Sequence, residues 1–530
     1  MIWAYVSDDF DIKRITRSII ESASGSQFNL TEMDLMKIKL RKLIENKRFL
    51  LVLDDVWNEN YEKWDRLKTV LIGSARRSKV IVTTRSERVA SIMGTVAPHL
   101  LSGLSDNDCW LLFEKRAFGL WSCEKTPNLA AIGKEMVKKC GRVPLAAKAL
   151  GSLMRFGRGE SQWLAIKENE IWNLPDDENE ILPTLMLSYN HLPSHQKQCF
   201  AYCSIFPKGA EIRSKQLVQL WIAEGFVQSS NGGTYLEDVG LLYVDELLSR
   251  SLFQSGQEDA DGVVMQVKMH DLVHDLARSI AGDECSIADA GDERVISQNC
   301  RYASLICRGP IKTILEPLKD AQRMRTLYFI ASRGRTEEEG KVDDVLQAIF
   351  SKMKLLRALH LRKCPMKALP VSVAKLKLLR YLDLSQTDIE TLPSCIGEAT
   401  EARKANLKEK QGIHSLRLSW DLNAYLQLGQ PCEEIENEET SMNELAAQDR
   451  DADADLVEEV LGNLQPHKNL RVSEMTEHAG KSLPWWLKES SLPYLAELSL
   501  KACVRYEHLS TLEQLPSLKV LKLIMLPTVN

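Results

Sequence analysis

What this sequence lacks narrows the field first. Its 12 cysteines include no C-x-x-C pair. Most stand inside apolar patterns, with Cys199 and Cys203 four apart on an expected helix. In a chain of 530 residues that excludes a disulfide framework and reads as reduced, intracellular core cysteine. No apolar run approaches the roughly 18–20 residues of a membrane span. The opening, M-I-W-A-Y-V-S-D-D-F-D, turns acidic at once, unlike a signal peptide. A surplus of one charge is missing too. The formal net charge is −5, so nothing points to non-specific nucleic-acid binding or to a basic membrane surface. A nucleotide-binding α/β domain is expected to open on a strand, a glycine-rich loop and a helix. None of these precedes the first strand, and G-x-x-x-x-G-K-[ST] occurs nowhere. The stretch from Gly334 to Val342 is one residue too long for it, carries three acids and has no Ser or Thr after Lys341.

What is present is enough for several cores. The chain is 44% hydrophobic and 27% charged, and its length suggests about three or four domains. The most informative stretch is Arg48–Trp57, R-F-L-L-V-L-D-D-V-W. Five apolar residues run unbroken into Asp54 and Asp55, which suits a strand buried on both faces of a parallel sheet. In open α/β sheets, ligands sit beyond the carboxyl ends of the strands. One such Asp, here Asp54, helps hold Mg²⁺ through water, and its neighbour Asp55 can polarise a water as a catalytic group. The plainer reading is a buried strand capped by two solvated acids. Ser78–Thr84 reads as another buried strand with Arg85 at its end. Arg85 can read a γ-phosphate through its planar fork, or it is a surface residue paired with Glu87 or Asp55.

Around these strands lie helical patterns. Ile2–Val6 is an expected strand, followed by helices at Asp11–Ala23, at Thr31–Asn46 with a Thr31/Asp34 capping box, and at Glu62–Ile72. This alternation means a parallel sheet with right-handed crossovers. Further helices are expected at Ser105–Phe118, Asn128–Cys140, from Pro144 to Gly151, and at Leu182–Tyr189, Ser194–Cys203, Ser214–Gly225, Val239–Ser249 and His270–Ala281. Leu217, Leu220 and Trp221 share one face of Ser214–Gly225. Two short strands, Leu252–Ser255 and Val263–Lys268, turn the last group into a winged-helix pattern. Its helices are not basic, which favours packing within a switch over DNA reading. His270-Asp271-Leu272-Val273-His274 imitates a zinc-protease helix, but Asp reaches less far than Glu and no third ligand stands out.

Beyond about residue 300 the period changes. Leu356-x-x-Leu359-x-Leu361 recurs as Leu379-x-x-Leu382-x-Leu384, a period of 23 residues. Similar triplets begin at Ile413, Leu495 and Leu518, with Met324-x-x-Leu327-x-Phe329 as an irregular entry. This is leucine-rich-repeat spacing, in which the leucines form the core and the residues between them do any recognising. Glu398–Asn406 reads as helix, and Pro431–Glu459 as an acidic insertion.

Five ordered segments carry a resemblance: F-L-L-V-L-D-D-V-W (49–57), S-K-V-I-V-T-T-R-S (78–86), C-G-R-V-P-L-A (140–146), C-F-A-Y-C-S-I-F-P (199–207) and M-H-D-L-V-H-D-L-A (269–277). The chain resembles plant intracellular immune receptors of the nucleotide-binding, leucine-rich-repeat family. It resembles the coiled-coil branch, because Trp57 closes the aspartate motif. The resemblance implies a multidomain fold: a partial α/β P-loop-type parallel sheet (1–104), an all-α helical domain (105–180), a winged helix (181–295) and an α/β leucine-rich-repeat solenoid (296–530). It implies ADP/ATP and Mg as cofactors. Pro144 would pack on adenine, His270 would contact the ADP β-phosphate and hold the resting state, and Asp271 would support it. Arg142-Val143 departs from the family's usual Gly-Leu. The family's phosphate loop and N-terminal coiled coil are absent, so a truncated receptor and no active ATPase are expected. The implied partners are a pathogen effector or guarded host protein at the repeats, and a receptor oligomer. Nucleic acid and an integral membrane segment are not expected. The implied location is cytoplasmic, with nuclear or peripheral plasma-membrane placement as variants. Two readings stay beside this one: a switch-dead repeat module or decoy, and a P-loop-type ATPase completed by an upstream segment.

Overall fold

The computed structural model describes residues 1–7, 10–26, 32–71, 78–119, 125–157, 159–173, 182–228, 235–258, 264–289, 296–307, 318, 321–331, 342–364, 366, 369–387, 407, 410–419, 461–462, 464–476, 478, 482–488, 491–503, 506, 512 and 515–524. The Gly334–Lys341 stretch, the 398–406 helix and the 431–459 insertion lie outside them. The chain forms two compact units: Met1–Cys109 with Arg142–Pro144, and Trp110–Gly141 with Leu145–Asn530.

The first unit is built on strands β1 (Ile2–Ser7), β2 (Leu50–Val56) and β3 (Lys79–Val82), all parallel, with β2 in the middle. Helices α1 (Ile12–Ser24) and α2 (Met33–Ile44) connect β1 to β2, and α3 (Tyr61–Val70) connects β2 to β3. Ile15, Ile19, Leu40, Leu51, Leu53, Trp64 and Leu67 are all buried in one cluster. Two side chains start helices: Asp11 accepts the Lys13 N–H, and Asn60 accepts those of Glu62 and Lys63. The expected Thr31/Asp34 box is not what opens α2. Thr31 is outside the described residues, and the N-cap is Glu32 without a side-chain hydrogen bond. The burial expected of Ser78–Thr84 is also corrected, because Val80 is 42% and Ile81 49% exposed. Among the described residues β3 is an edge strand, and only Val82 borders the core. A short helix that the sequence did not signal, α4 (Glu87–Met93), follows, capped by Ser86.

The second unit contains helices α6 (Pro127–Lys138), α8 (Glu160–Lys167), α9 (Leu182–Asn190) and α10 (Ser194–Tyr202); α5 (Asp106–Ala117) and α7 (Pro144–Met154) span the boundary between the units. Next comes the winged-helix arrangement: β4 (Ile212–Arg213), α11 (Ser214–Glu224), α12 (Leu236–Ser249), β5 (Gln254–Ser255), β6 (Gln266–Lys268) and α13 (Asp271–Ala281). The strands pair antiparallel in the order β4-β6-β5. Two residues are too few to show alternation, so β4 was not legible. Gly225 ends α11 at φ +83°, a left-handed position that favours glycine.

A nine-stranded parallel sheet completes the unit: β7 (Cys285–Asp289), β8 (Tyr302–Cys307), β9 (Thr326–Ala331), β10 (Ala358–His360), β11 (Tyr381–Ser385), β12 (Ser415–Ser419), β13 (Val472–Thr476), β14 (Glu497–Lys501) and β15 (Val520–Ile524). The expected leucines stack in register: Leu327, Leu359, Leu382 and Leu416 pair from strand to strand, and Leu498 pairs with Leu521. Between them stands Ser473 of β13, the position at which Leu470-x-x-Ser473-x-Met475 escapes the leucine pattern. Strands β7 and β8 precede the expected entry repeat. They escaped because Cys300 and Ala303 stand where leucines were sought. On the other face one ladder row reads His360, Asp383, Arg417, Glu474, Ser499, Lys522.

Helices α11 and α12 meet at Gly240. A Cβ there would lie 2.4 Å from Val218 Cγ1, and a β-branched valine cannot easily turn away. Gly240→Ala is therefore expected to destabilise the second unit by about 1–3 kcal/mol. Chemical denaturation should read the loss as a lower midpoint, and an unchanged midpoint would mean that the helix pair slides apart freely.

Candidate functional site

The middle strand of the first unit brings the two aspartates to its carboxyl end, where β3 supplies their partners. Thr83 Oγ1 donates to Asp54 Oδ1 at 2.5 Å and accepts the Asp55 N–H at 2.8 Å. Val56 N–H then bonds Thr83 O at 2.9 Å, so the strand ends are tied together beyond the last ladder pair. From β1, Tyr5 donates to Asp55 Oδ2 at 3.4 Å. Asp55 itself has φ +59°, a region that costs an L-residue about 1–2 kcal/mol. The cross-strand Thr83 bonds hold this strained backbone in place. Both carboxylates are half-buried, and Arg85 is exposed. The Arg85 guanidinium lies over the Trp57 ring, 5.0 Å from its centroid. Asp54, Asp55, Thr83, Trp57 and Arg85 thus converge on one end of the sheet.

This donor set suits a hard cation: two carboxylates and a hydroxyl, all oxygen, partly desolvated. The phosphate half of a nucleotide site fares differently, since the sequence carries no glycine-rich cradle of backbone N–H groups.

Pro144 opens α7 as the pattern predicts and is exposed. Just before it, Arg142 stands where the family motif has glycine, and its φ is +61°. The substitution is held by a bidentate ion pair, with Arg142 Nε and Nη2 at 2.9 and 3.2 Å from the Asp106 carboxylate. Arg142 O also accepts the Leu104 N–H at 2.9 Å.

His270 and Asp271 belong to the second unit. His270 is the N-cap of α13, its Nδ1 accepting the Leu272 N–H at 3.3 Å, and Asp271 is the first helical residue. The cap fixes Nδ1 as an acceptor and leaves Nε2 to carry the proton. His274 sits one turn on, buried, with Nε2 at 2.8 Å from Phe206 O. Burial pushes its pKa down, against the pull of that carbonyl. His274 Nε2 thus faces a carbonyl, and no group of three or more metal-ligating side chains occurs among the described residues.

One functional surface was missed in the sequence. Helix α11 was read as one-faced, yet all its residues except Lys215 are buried. Its far side faces the repeats. Glu224 accepts from Thr326 Oγ1 at 2.7 Å, its carbonyl accepts from Arg357 at 2.6 Å, and Ala223 O accepts from Arg380 at 3.3 Å. The Gln216 amide reaches Tyr328, His360 and Tyr381 at 3.2–3.4 Å. Burial pushes the Glu224 carboxyl up, and Thr326 and Arg357 pull it back down. In the repeats behind it, His360 lies 3.0 Å from Asp383. Burial works against charge on Asp383, but His360 and Arg417 hold its carboxyl well below the usual range. The available signal was Gln216, Gln219 and Glu224, polar residues set among the apolar ones beyond the first turn of the helix.

Comparison with known proteins fits this architecture. Residues 1–121 match the NB-ARC domain, residues 205–277 the disease resistance protein winged helix domain, and residues 386–526 the R13L1/DRL21 LRRs. Together they define a chain with a nucleotide-binding fold, a winged helix and leucine-rich repeats, an architecture suited to protein–protein contact. The putative disease resistance protein RGA1 of Solanum bulbocastanum is 34% identical over 98% of the chain and 56% of its own length. The disease resistance protein RGA2 and the putative RGA4 of the same plant are 53% and 51% identical over 53% of the chain and 28% of their lengths. The chain belongs to the nucleotide-binding, leucine-rich-repeat family of plant disease resistance proteins. It spans between 28% and 56% of the length of these relatives. No helix among the described residues is long and apolar enough to cross a membrane.

The strain at Asp55 is directly testable. Asp55→Val should cost at least about 1 kcal/mol more stability than Asp55→Gly, because only glycine enters the left-handed region without penalty. Equal losses on thermal unfolding would show that the loop relaxes.

Proposed function

We propose that this chain is the switch and sensor portion of a plant intracellular immune receptor, acting in the cytoplasm. The observation that carries this reading is the succession of NB-ARC, winged-helix and repeat families, with a paired-carboxylate strand end in the first. In this reading Asp54 holds Mg²⁺ through water, Asp55 orients a water, Arg85 answers a γ-phosphate and Pro144 packs on adenine. His270, with Asp271 beside it, favours the ADP-bound closed state through its Nε2–H. A bound Mg²⁺ would neutralise phosphate charge. The chain's own residues supply positioning: Thr83 fixes both aspartates, and the α13 cap fixes the His270 tautomer. A ligand moves such an equilibrium only by its differential affinity for the two states. The repeats recognise a pathogen effector or a guarded host protein, and receptor copies assemble once open.

One observation favours a second reading, a repeat module or decoy that does not bind nucleotide. The given sequence shows no glycine-rich cradle, whose backbone N–H groups would supply most of the phosphate affinity. Titration calorimetry of the whole chain with ADP and Mg²⁺ separates the two. Weak or undetectable binding, the result expected where no phosphate cradle is present, would favour the module reading. Micromolar or tighter affinity, about 8 kcal/mol, that falls in Asp54→Ala would overturn the module reading and restore a working switch.

A further inference from the structure

Where the winged helix meets β12–β15, the second unit forms an open cleft of about 410 Å³. Arg213 and Lys215 line it from the winged-helix side, and Arg417, Lys501 and Lys522 from the repeats. Among the described residues, three acids share the lining: Glu258, Glu474 and Glu497. Two of them each serve two cations. Glu474 serves both Lys501 at 2.7 Å and Arg417 at 3.3 Å, while Glu497 serves both Lys215 at 3.0 Å and Lys522 at 2.9 Å. Burial works to raise both acids, and these cations hold them below their ordinary values. Burial lowers Lys215, and its crowding against Lys522 lowers it further.

A second, independent observation points the same way. Ser499 Oγ and Gln219 Oε1 are buried polar atoms without a hydrogen-bond partner, and both residues line the cavity. Arg417 Nε also lacks a hydrogen bond, despite standing 3.3 Å from Glu474 Oε2. Ser499 is only 4% exposed and lies on the same ladder row as Arg417 and Glu474, the row facing the winged helix. Each such orphan weighs against the fold unless something fills the site. Gln219 Oε1 asks for a donor, and the cations and Ser499 ask for acceptors. Among the described residues no aromatic side chain lines the cavity, so they offer a base or nucleoside no stacking partner.

We propose that this cavity binds a small phosphorylated polyol, whose phosphates meet the Arg417/Lys501/Lys522 and Arg213/Lys215 cations together and so tie the winged helix to the repeats. The volume is in the range of small-ligand sites, and the charge excess demands more than one anionic group.

The test is calorimetric titration of the full chain at low salt with fructose 1,6-bisphosphate, and with tripolyphosphate as a hydroxyl-free polyanion. The expected result is one site, tighter for the bisphosphate than for inorganic phosphate and weakened by added salt. Lys501→Met and Lys522→Met are each expected to weaken it about tenfold. Both lysines are about one-third exposed, so the core survives their loss. Lys215→Met, on the winged-helix side, is expected to do the same. Binding unchanged in all three variants, or none at millimolar ligand, would mean that water alone fills the cavity and would overturn the proposal. Loss in the repeat variants but not in Lys215→Met would overturn the bridging role. ADP binding that disappears in Lys501→Met would belong to this cavity. ADP binding that disappears only in Asp54→Ala would belong to the strand-end site, so the two readings fail separately.

Discussion

Helix α11 is buried on all sides because it is needed twice. Its leucines and Trp221 fill the winged-helix core, and its glutamines and Glu224 close the polar face of the repeat sheet. A helix with polar groups cut off from water is held where most of them find partners, as Gln216 and Glu224 do. That requirement fixes which repeat strands it meets and in what register. Arg357 and Arg380 cap its last carbonyls, which also suits the negative end of a helix dipole. The winged helix and repeats are therefore one mechanical piece in this structure. Any event that parts them must rehydrate Glu224, Thr326 and the Gln216 cluster at the same moment.

The first unit stores its constraint differently. Thr83 bonds both aspartates and thereby holds Asp55 in a backbone conformation it would not choose alone. Arg142 is a second case of a side chain in glycine's place, stabilised by Asp106. Both lie in motif segments, where backbone strain tends to accumulate.

Much of this was legible in the sequence, for physical reasons. An apolar run ended by two acids marks a central strand whatever surrounds it, and β2 is one. Leucines 23 residues apart mark stacked repeats, and they pair in register. The failures share a cause. Periodicity reports the face an element presents to its own core, not a second burial supplied by a distant segment, so α11 looked one-sided. Leucine patterns cannot see repeats in which Cys300, Ala303 or Ser473 takes the inward position. And the apolar letters of Lys79–Val82 say nothing about whether another layer covers them.

That last strand has a practical consequence. Among the described residues Val80 and Ile81 form an apolar margin whose outer backbone groups meet no further strand, the arrangement that lets chains zip onto one another. When the polypeptide is overproduced, precipitation should begin here. A lysine at position 81 would blunt the margin while leaving the tie between Thr83 and the aspartates intact, and so offers a route to soluble material.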